Sequence, residues 1–525
     1  MQETETDTEQ RAPATRLPRL RRLPAQLLRR NPFGGDCLPV RVPILFSSAR
    51  RPSLPIPHPW NYRQPIRILE SYFTGADDDA GPGRHNRYLD APGFPPVLVT
   101  RDPGIIRAIL TATGDREGQF DRDTLPSTGI ARATGKDTLL FANGSFWRRQ
   151  RKVAASPFGK TGLYQPELFH EFEETFRNTV RGRLDVLRSY LVQHDQTSIQ
   201  IEAEPEIKAL MLEMLLNCFF RARIEYNDIR EIYVPALERV IDHIVRDTVV
   251  NRLGLPVSHL ARFSSRFRKT QTDFNRIEEL TDRVLAKRNS GEGLWSRFKS
   301  EAPDEALRSN IKVFVAGALE ATTSYAAWAV SHLARHPAAQ ERVYEEVREL
   351  EDYSPENLEG ATYLAHVLDE TLRLTPSLYF LPRSATADTW LETADGRKMF
   401  IPGGTHILLD VWHANRHEDH WGTAVTGYPA DQFAPERWEQ TSADGRGSKE
   451  MLHFGFGHGA RICPGKHLGQ LETALVVGAF VKLFRFRAVN QHNDAKAGVS
   501  TKPLDGALME LELRHPEPAT PNVNN

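Results

Sequence analysis

Covalent staples do not hold this chain together. Its 525 residues include three cysteines, Cys37, Cys218 and Cys463. They are too few and too scattered for a disulfide framework, which points to a reducing compartment. Net charge is equally scarce: 67 Lys and Arg face 68 Asp and Glu, leaving −1. The strongly basic face that nucleic acid requires is therefore not expected. No uninterrupted run reaches the roughly 18 apolar residues of a membrane span. No glycine loop of the phosphate-cradling or dinucleotide-binding kind occurs. His413, His417, His420 and His453 follow no tight zinc spacing and are expected to be surface or hydrogen-bonded side chains. The N-terminal segment lacks the continuous apolar core of a secretory signal. It opens acidic (Glu3, Glu5, Asp7, Glu9), unlike a mitochondrial transit peptide, and then turns basic with Arg16, Arg19, Arg21, Arg22, Arg29 and Arg30. That patch suits either a solvated, disordered tail or contact with anionic lipid.

What is present is an ordinary globular composition, 40% hydrophobic and 26% charged, with enough apolar side chains for a sizeable core. The most informative stretch is Phe456-Gly457-His458-Gly459-Ala460-Arg461-Ile462-Cys463-Pro464-Gly465. It sets one thiol in a glycine-rich loop that can approach a flat partner closely. An apolar-periodic run from Lys466 to Phe486 follows, so Cys463 is expected just before a helix N-terminus. The helix end and Arg461 are expected to lower the thiol's pKa and favour the thiolate. Such a sulfur suits an axial ligand to haem iron. A buried cysteine in a turn is the alternative. Cys218, in Met-Leu-Leu-Asn-Cys-Phe-Phe, reads as helix core.

Phe456, Gly457, Gly459, Arg461, Cys463 and Gly465 resemble, position for position, the cysteine-loop motif of the cytochrome P-450 family. The resemblance covers about Asn61 to Arg514. It implies a mainly α fold with small β-sheets and a long central helix over haem. The expected organisation is a Pro/Arg-rich tail and arm over 1–60, a haem domain over 61–514 and a short tail over 515–525.

Other stretches fit the same family. Trp147 and Arg151, four apart on an expected helix, share one face. The resemblance places both on a haem propionate, and an indole N–H and a guanidinium are donors suited to a carboxylate. Arg383 is implied for the second propionate, and Leu378 to Leu381 for the substrate pocket or plain strand core. Glu370 and Arg373 form a Glu-x-x-Arg pair that, with Arg437, is implied to make a buried ion cluster behind the cysteine loop. Arg122 to Lys136 reads as a loop or broken helix, and Asn251 to Phe263 as a break between helices; in the family both regions lie over the substrate.

Ile311 to Arg335 reads as a buried helix, and Ala316-Gly317-Ala318-Leu319-Glu320-Ala321-Thr322-Thr323 lies inside it. It resembles the family's Ala-Gly-x-acid-Thr-Thr element with one residue more before the acid, and Ala321 stands where the first threonine usually does. The inserted residue is expected to bulge the helix and swing Thr322 toward the iron, with Glu320 and Thr322 as the proton-relaying pair. Trp147, Arg151, Arg383, Phe456, Arg461 and Cys463 are the expected holders of haem b, with Cys463 on the metal.

The implied activity is a haem-thiolate monooxygenase that inserts one oxygen atom from O2 into an apolar small molecule. With no reductase module in the chain, electrons are expected from a ferredoxin or flavodoxin. The altered helix motif keeps open a peroxide-dependent or rearranging enzyme, and a non-catalytic haem sensor is the alternative from another class. A monomer in the cytoplasm is expected, with peripheral membrane contact through the basic segment as the alternative.

Overall fold

The computed structural model describes residues 33, 37–41, 65–73, 84–90, 97–114, 119–123, 134–135, 137–154, 158–250, 265–291, 304–439, 453–491 and 494–514. The C-terminal tail, most of residues 1–60, most of the Arg122–Lys136 loop and the whole Asn251–Phe263 break lie outside the described residues. Within 1–60, Phe33 and Cys37 are buried and Leu38–Arg41 is a strand of the main sheet, so this part of the expected tail and arm belongs to the fold.

The fold is organised on one helical axis. The α-helix Asp304–Gly317 passes into a π-turn over Ala318–Thr322 and continues as the α-helix Thr323–Arg335. At 1.5 Å per residue the whole spans about 48 Å. The π-turn carries the extra residue seen in the sequence, because a wider turn absorbs one residue without breaking the helix. By length and composition Leu307–Arg335 could cross a membrane. Here it is interior: from Thr323 to Ala334 every side chain but that of His332 is buried. It packs against Ala203–Glu213, Thr362–Leu374 and Lys466–Leu483. The main apolar core gathers around it, including Ile311, Val315, Leu319, Ala326 and Val330.

A six-stranded sheet forms the second layer, in the order Leu38–Arg41, Asn86–Asp90, Val97–Thr100, His406–Leu409, Leu381–Ala385, Phe120–Arg122. Its first pair and the Val97–Thr100/His406–Leu409 pair are parallel, and the rest are antiparallel. A second, antiparallel sheet joins Phe484–Ala488, Leu508–Leu513 and Ser198–Glu202. Two hairpins complete the strands, Thr389–Glu392 with Lys398–Ile401 and Ala495–Ala497 with Thr501–Pro503.

Two expected elements end early, for local reasons. The helix after the cysteine loop stops at Leu483. Beyond it Phe484 and Phe486 point inward while Arg485 and Arg487 point out, a period of two that only a strand satisfies. The strand expected over His406–Trp412 stops at Leu409, because Asp410 caps a short helix by accepting from the His413 N–H at 3.3 Å.

Candidate functional site

The cysteine loop sits between the central helix and the Pro103–Ala112 helix. Gly457 and Gly459 have φ of +74° and +70°, which a β-carbon disfavours. At Gly459 a β-carbon would also overlap the Leu110 carbonyl oxygen and lie 2.9 Å from Thr111 Cα. The loop closes on itself where the Cys463 N–H donates to the Phe456 carbonyl at 2.9 Å. The Phe456 ring meets Tyr325 of the central helix edge-on, with centroids 6.0 Å apart. The Lys466–Leu483 helix starts just after, as expected.

Cys463 is the one exposed cysteine; Cys37 and Cys218 are buried. Protein nevertheless surrounds Cys463 densely enough for desolvation to push its thiol up. A Gly465 backbone hydrogen bond and the charge of Arg151 pull the other way. This corrects two expectations. Burial outweighs the lowering influences, and the nearby cation is Arg151 rather than Arg461.

Arg461 turns away from the sulfur. It donates to the Ala142 carbonyl and to Asn143 Oδ1 (2.7 Å), and its guanidinium lies 4.0 Å over the Trp147 ring. Trp147 and Arg151 come from the helix Gly144–Ala154, and Trp147 is 3% exposed. Arg383 is fully buried, donating to Thr113 Oγ1 at 3.2 Å and to the Pro382 carbonyl at 2.8 Å. Arg122, on the neighbouring strand, carries no signal in the sequence because its stretch has no periodicity.

These arginines repel one another. Burial, then Arg122 and Arg461, holds Arg383 well below the ordinary guanidinium range. Burial lowers Arg122 to about 10, and burial with Arg122 lowers Arg461 to about 9. The nearby acids are Asp121, pushed up by burial and pulled down by Arg461, and Asp123, which is engaged with His406 Nδ1 at 2.6 Å. The Nε atoms of Arg122 and Arg461 are buried with no partner among the described residues. Unmatched donors among crowded cations favour an anion between them.

The central helix gives a mixed result. The bulge is present, but the structure does not join Glu320 to Thr322. Thr322 Oγ1 donates back to the Ala318 carbonyl. Glu320 accepts from Ser500 Oγ at 2.6 Å and from Lys502 Nζ at 2.9 Å. Both donors belong to the C-terminal hairpin, some 180 residues along the chain. Lys502 lies 3.9 Å from Glu204, which pairs with Lys208 at 2.8 Å, and Lys208 reaches Glu238. Charges of alternating sign thus run from Glu320 to half-exposed Glu238.

The ion cluster forms as the Glu-x-x-Arg pattern implied. Glu370 Oε1 accepts from Arg373 Nη2 (2.8 Å), Arg437 Nε (2.9 Å) and the Ala434 N–H (3.0 Å). Its Oε2 accepts from Arg373 Nε (2.8 Å) and from the indole of Trp438 (3.1 Å), a partner not foreseen. Arg373 and Arg437 also donate to the backbone carbonyls of Asn415, Ala430, Trp421, Pro429 and Gln432, and Arg437 Nη1 donates to Thr426 Oγ1 at 2.7 Å. All three charged side chains are fully buried. Against burial, the arginines hold the Glu370 carboxyl below its usual range.

The comparisons with known proteins agree with this arrangement. A family model for cytochrome P450 matches residues 91–506. The chain is 26% identical over 440 residues to "Cytochrome P450 71A23" of Arabidopsis thaliana, covering 78% of this chain and 83% of that protein. It is 24% identical over 427 residues to "Cytochrome P450 monooxygenase alt2" of Alternaria solani, covering 74% and 75%. It is 22% identical over 432 residues to "(+)-vincadifformine 19-hydroxylase" of Catharanthus roseus, covering 76% and 79%. With its exposed cysteine, its buried arginines and its bulged central helix, the chain belongs to the cytochrome P450 family and is an oxidoreductase of the monooxygenase kind.

Proposed function

We propose that the chain binds haem b with Cys463 on the iron and inserts one oxygen atom from O2 into an apolar small molecule, by hydroxylation or epoxidation. The observation that carries this reading is the pairing of an exposed thiol with buried, unmatched Arg122 and Arg461 nitrogens. The residues fit the group: a sulfur for the metal, and guanidiniums for the two carboxylates that the macrocycle bears. Trp147, Arg151, Arg383 and Arg461 would hold those carboxylates, joined by Arg122, and Phe456 would brace the sulfur's side.

Bound there, the haem supplies the oxygen chemistry, and thiolate ligation favours O–O cleavage. The chain orients and protects. The Phe456 carbonyl and a Gly465 backbone hydrogen bond fix Cys463. The Glu370 cluster anchors the segments that flank the loop. Glu320, held between Ser500 and Lys502, can hand on a proton only if one of those partners is exchanged. Electrons come from a ferredoxin or flavodoxin type partner, drawn to the basic Arg148, Arg149 and Lys152 side of the Gly144–Ala154 helix. The protein acts as a cytoplasmic monomer.

A second reading draws on the central helix. Ala321 lies beside the acid, and the Thr322 hydroxyl is committed to Ala318, which favours a peroxide-dependent enzyme over one that relays protons to bound O2. One experiment addresses both. The reduced, carbon-monoxide-treated protein should show the red-shifted band of a thiolate ligand, and Cys463→Ala should lose it. Substrate-dependent oxygen uptake with surrogate ferredoxin, flavodoxin and reductase partners supports the monooxygenase. Turnover with peroxide alone supports the second reading, and turnover with neither rejects both.

A further inference from the structure

A cluster at the edge of the six-stranded sheet takes no part in the site described above. His85 directly precedes the strand Asn86–Asp90, and its carbonyl accepts from the Arg101 N–H at 2.8 Å. Facing it, His417 caps the short helix Glu418–Trp421. The His85 and His417 rings meet edge to face with centroids 4.3 Å apart, and His420 lies 5.4 Å from His417. The ligand atoms of His85, His417 and Asp419 all fall within 4.8 Å of one another.

A cation already occupies this place. Arg84 donates its Nε to His85 Nε2 at 2.9 Å, and its Nη2 pairs with Asp419. The same two acceptors that a metal ion would take are thus drawn together around a guanidinium. The Arg84 side chain is 41% exposed, so it can swing into solvent without emptying a packed space.

We propose that His85, His417 and Asp419 form a site for a divalent transition metal such as Zn2+, which takes the place of the Arg84 guanidinium. Two imidazoles and one carboxylate are a ligand set that such ions accept, leaving a fourth position for water or His420. Metal bonds of about 2.1 Å set tetrahedral ligands about 3.4 Å apart, so the three side chains must close by roughly 1 Å. Side-chain torsions at Asp419 and His85 provide that movement. His417 Nδ1 accepts from the Asp419 N–H at 3.2 Å, so the ion takes over that lone pair from the helix cap as well as the place of the guanidinium. An ion here would tie the outer strands of the sheet to Glu418–Trp421. That helix in turn supplies the Trp421 carbonyl to Arg437 at 2.7 Å, so the ion would brace the Glu370 cluster from outside.

The test uses the full haem-loaded chain, freed of loose metal with a chelator and then dialysed against Zn2+. Bound zinc is measured by elemental analysis, and affinity by competition with a coloured zinc chelator. One zinc per chain is expected at micromolar concentration. His85→Ala, His417→Ala and Asp419→Asn should each weaken binding by about 100-fold or more. Arg84→Ala should tighten it, because the competing cation is gone. Circular dichroism confirms that each variant is folded; Arg84→Ala and Asp419→Asn, at half-exposed side chains, keep the test open if a histidine variant fails. Zinc uptake that the folded variants leave unchanged, or none below millimolar in both wild type and Arg84→Ala, overturns the site. Unchanged or weaker affinity in Arg84→Ala overturns the displacement. Neither result bears on haem binding at Cys463.

Discussion

Glu472 offers a sharp test of how the helix beyond the cysteine loop is buried. It stands in the interior part of the Lys466–Leu483 helix, 2% exposed, with Oε1 buried and unpartnered. Burial alone lifts its carboxyl from 4.5 to about 8. At neutral pH the folded chain therefore keeps a proton that the unfolded chain releases. Wherever the folded state binds more protons, stability falls as pH rises, and here the window runs from the ordinary carboxylate range up to about 8. At about 1.4 kcal/mol per pH unit, the penalty reaches roughly 4 kcal/mol by pH 8 and falls below about 1 kcal/mol at pH 5. Glu472→Gln keeps the shape and cannot ionise. It should be more stable than the parent at pH 8, and the advantage should shrink by about 3 kcal/mol on going to pH 5. Guanidinium unfolding of both proteins at pH 5, 6.5 and 8, followed by far-ultraviolet circular dichroism, measures this. A stability difference that stays constant across that range would refute the reasoning.

Three further outcomes follow from the geometry. Glu370→Gln removes the one negative charge between Arg373 and Arg437, a loss of about 3–5 kcal/mol for a broken buried pair, and should give protein with little bound haem; a normal haem-to-protein ratio counts against the cluster's role. Lys502→Met strands Glu320 and should destabilise the fold by about 3 kcal/mol, of which Glu320→Gln in the same chain should restore at least half; strictly additive effects would show that the two side chains are not coupled. Gly459→Ala meets both an unfavourable φ and the Leu110 carbonyl, so the cysteine loop should fail to seat and the thiolate band should be lost; a full band in this variant contradicts the packing.

The parts of the site legible in the sequence are those whose partners lie close in the chain. The Phe456–Gly465 loop, the Trp147/Arg151 spacing and the Glu370/Arg373 pair depend on one turn or one helix face, and the structure places each as its local pattern implies. The bulge could be read as well, since one residue too many must go somewhere. Longer-range features were not legible. Glu320 meets Ser500 and Lys502 from a hairpin near the other end of the sequence, and nothing beside Glu320 announces them. The direction of the Cys463 shift depends on how much protein closes around it, a tertiary quantity, and so the nearby Arg461 misled. Arg122 gave no signal because charge in an aperiodic stretch looks like solvent-facing charge. The end of the Lys466–Leu483 helix did have a signal, the Phe-Arg-Phe-Arg alternation, hidden by the strong helical period ahead of it.

The strand Leu508–Leu513 lies in the middle of its sheet, with Phe484–Ala488 on one side and Ser198–Glu202 on the other. The ribosome therefore makes the centrepiece after both of its neighbours. Ser198–Glu202 must wait, its pairing groups wet, while most of the polypeptide is still being synthesised. A stop codon at or before Leu508 would take away the keystone and leave two open edges for strands of other nascent chains to join.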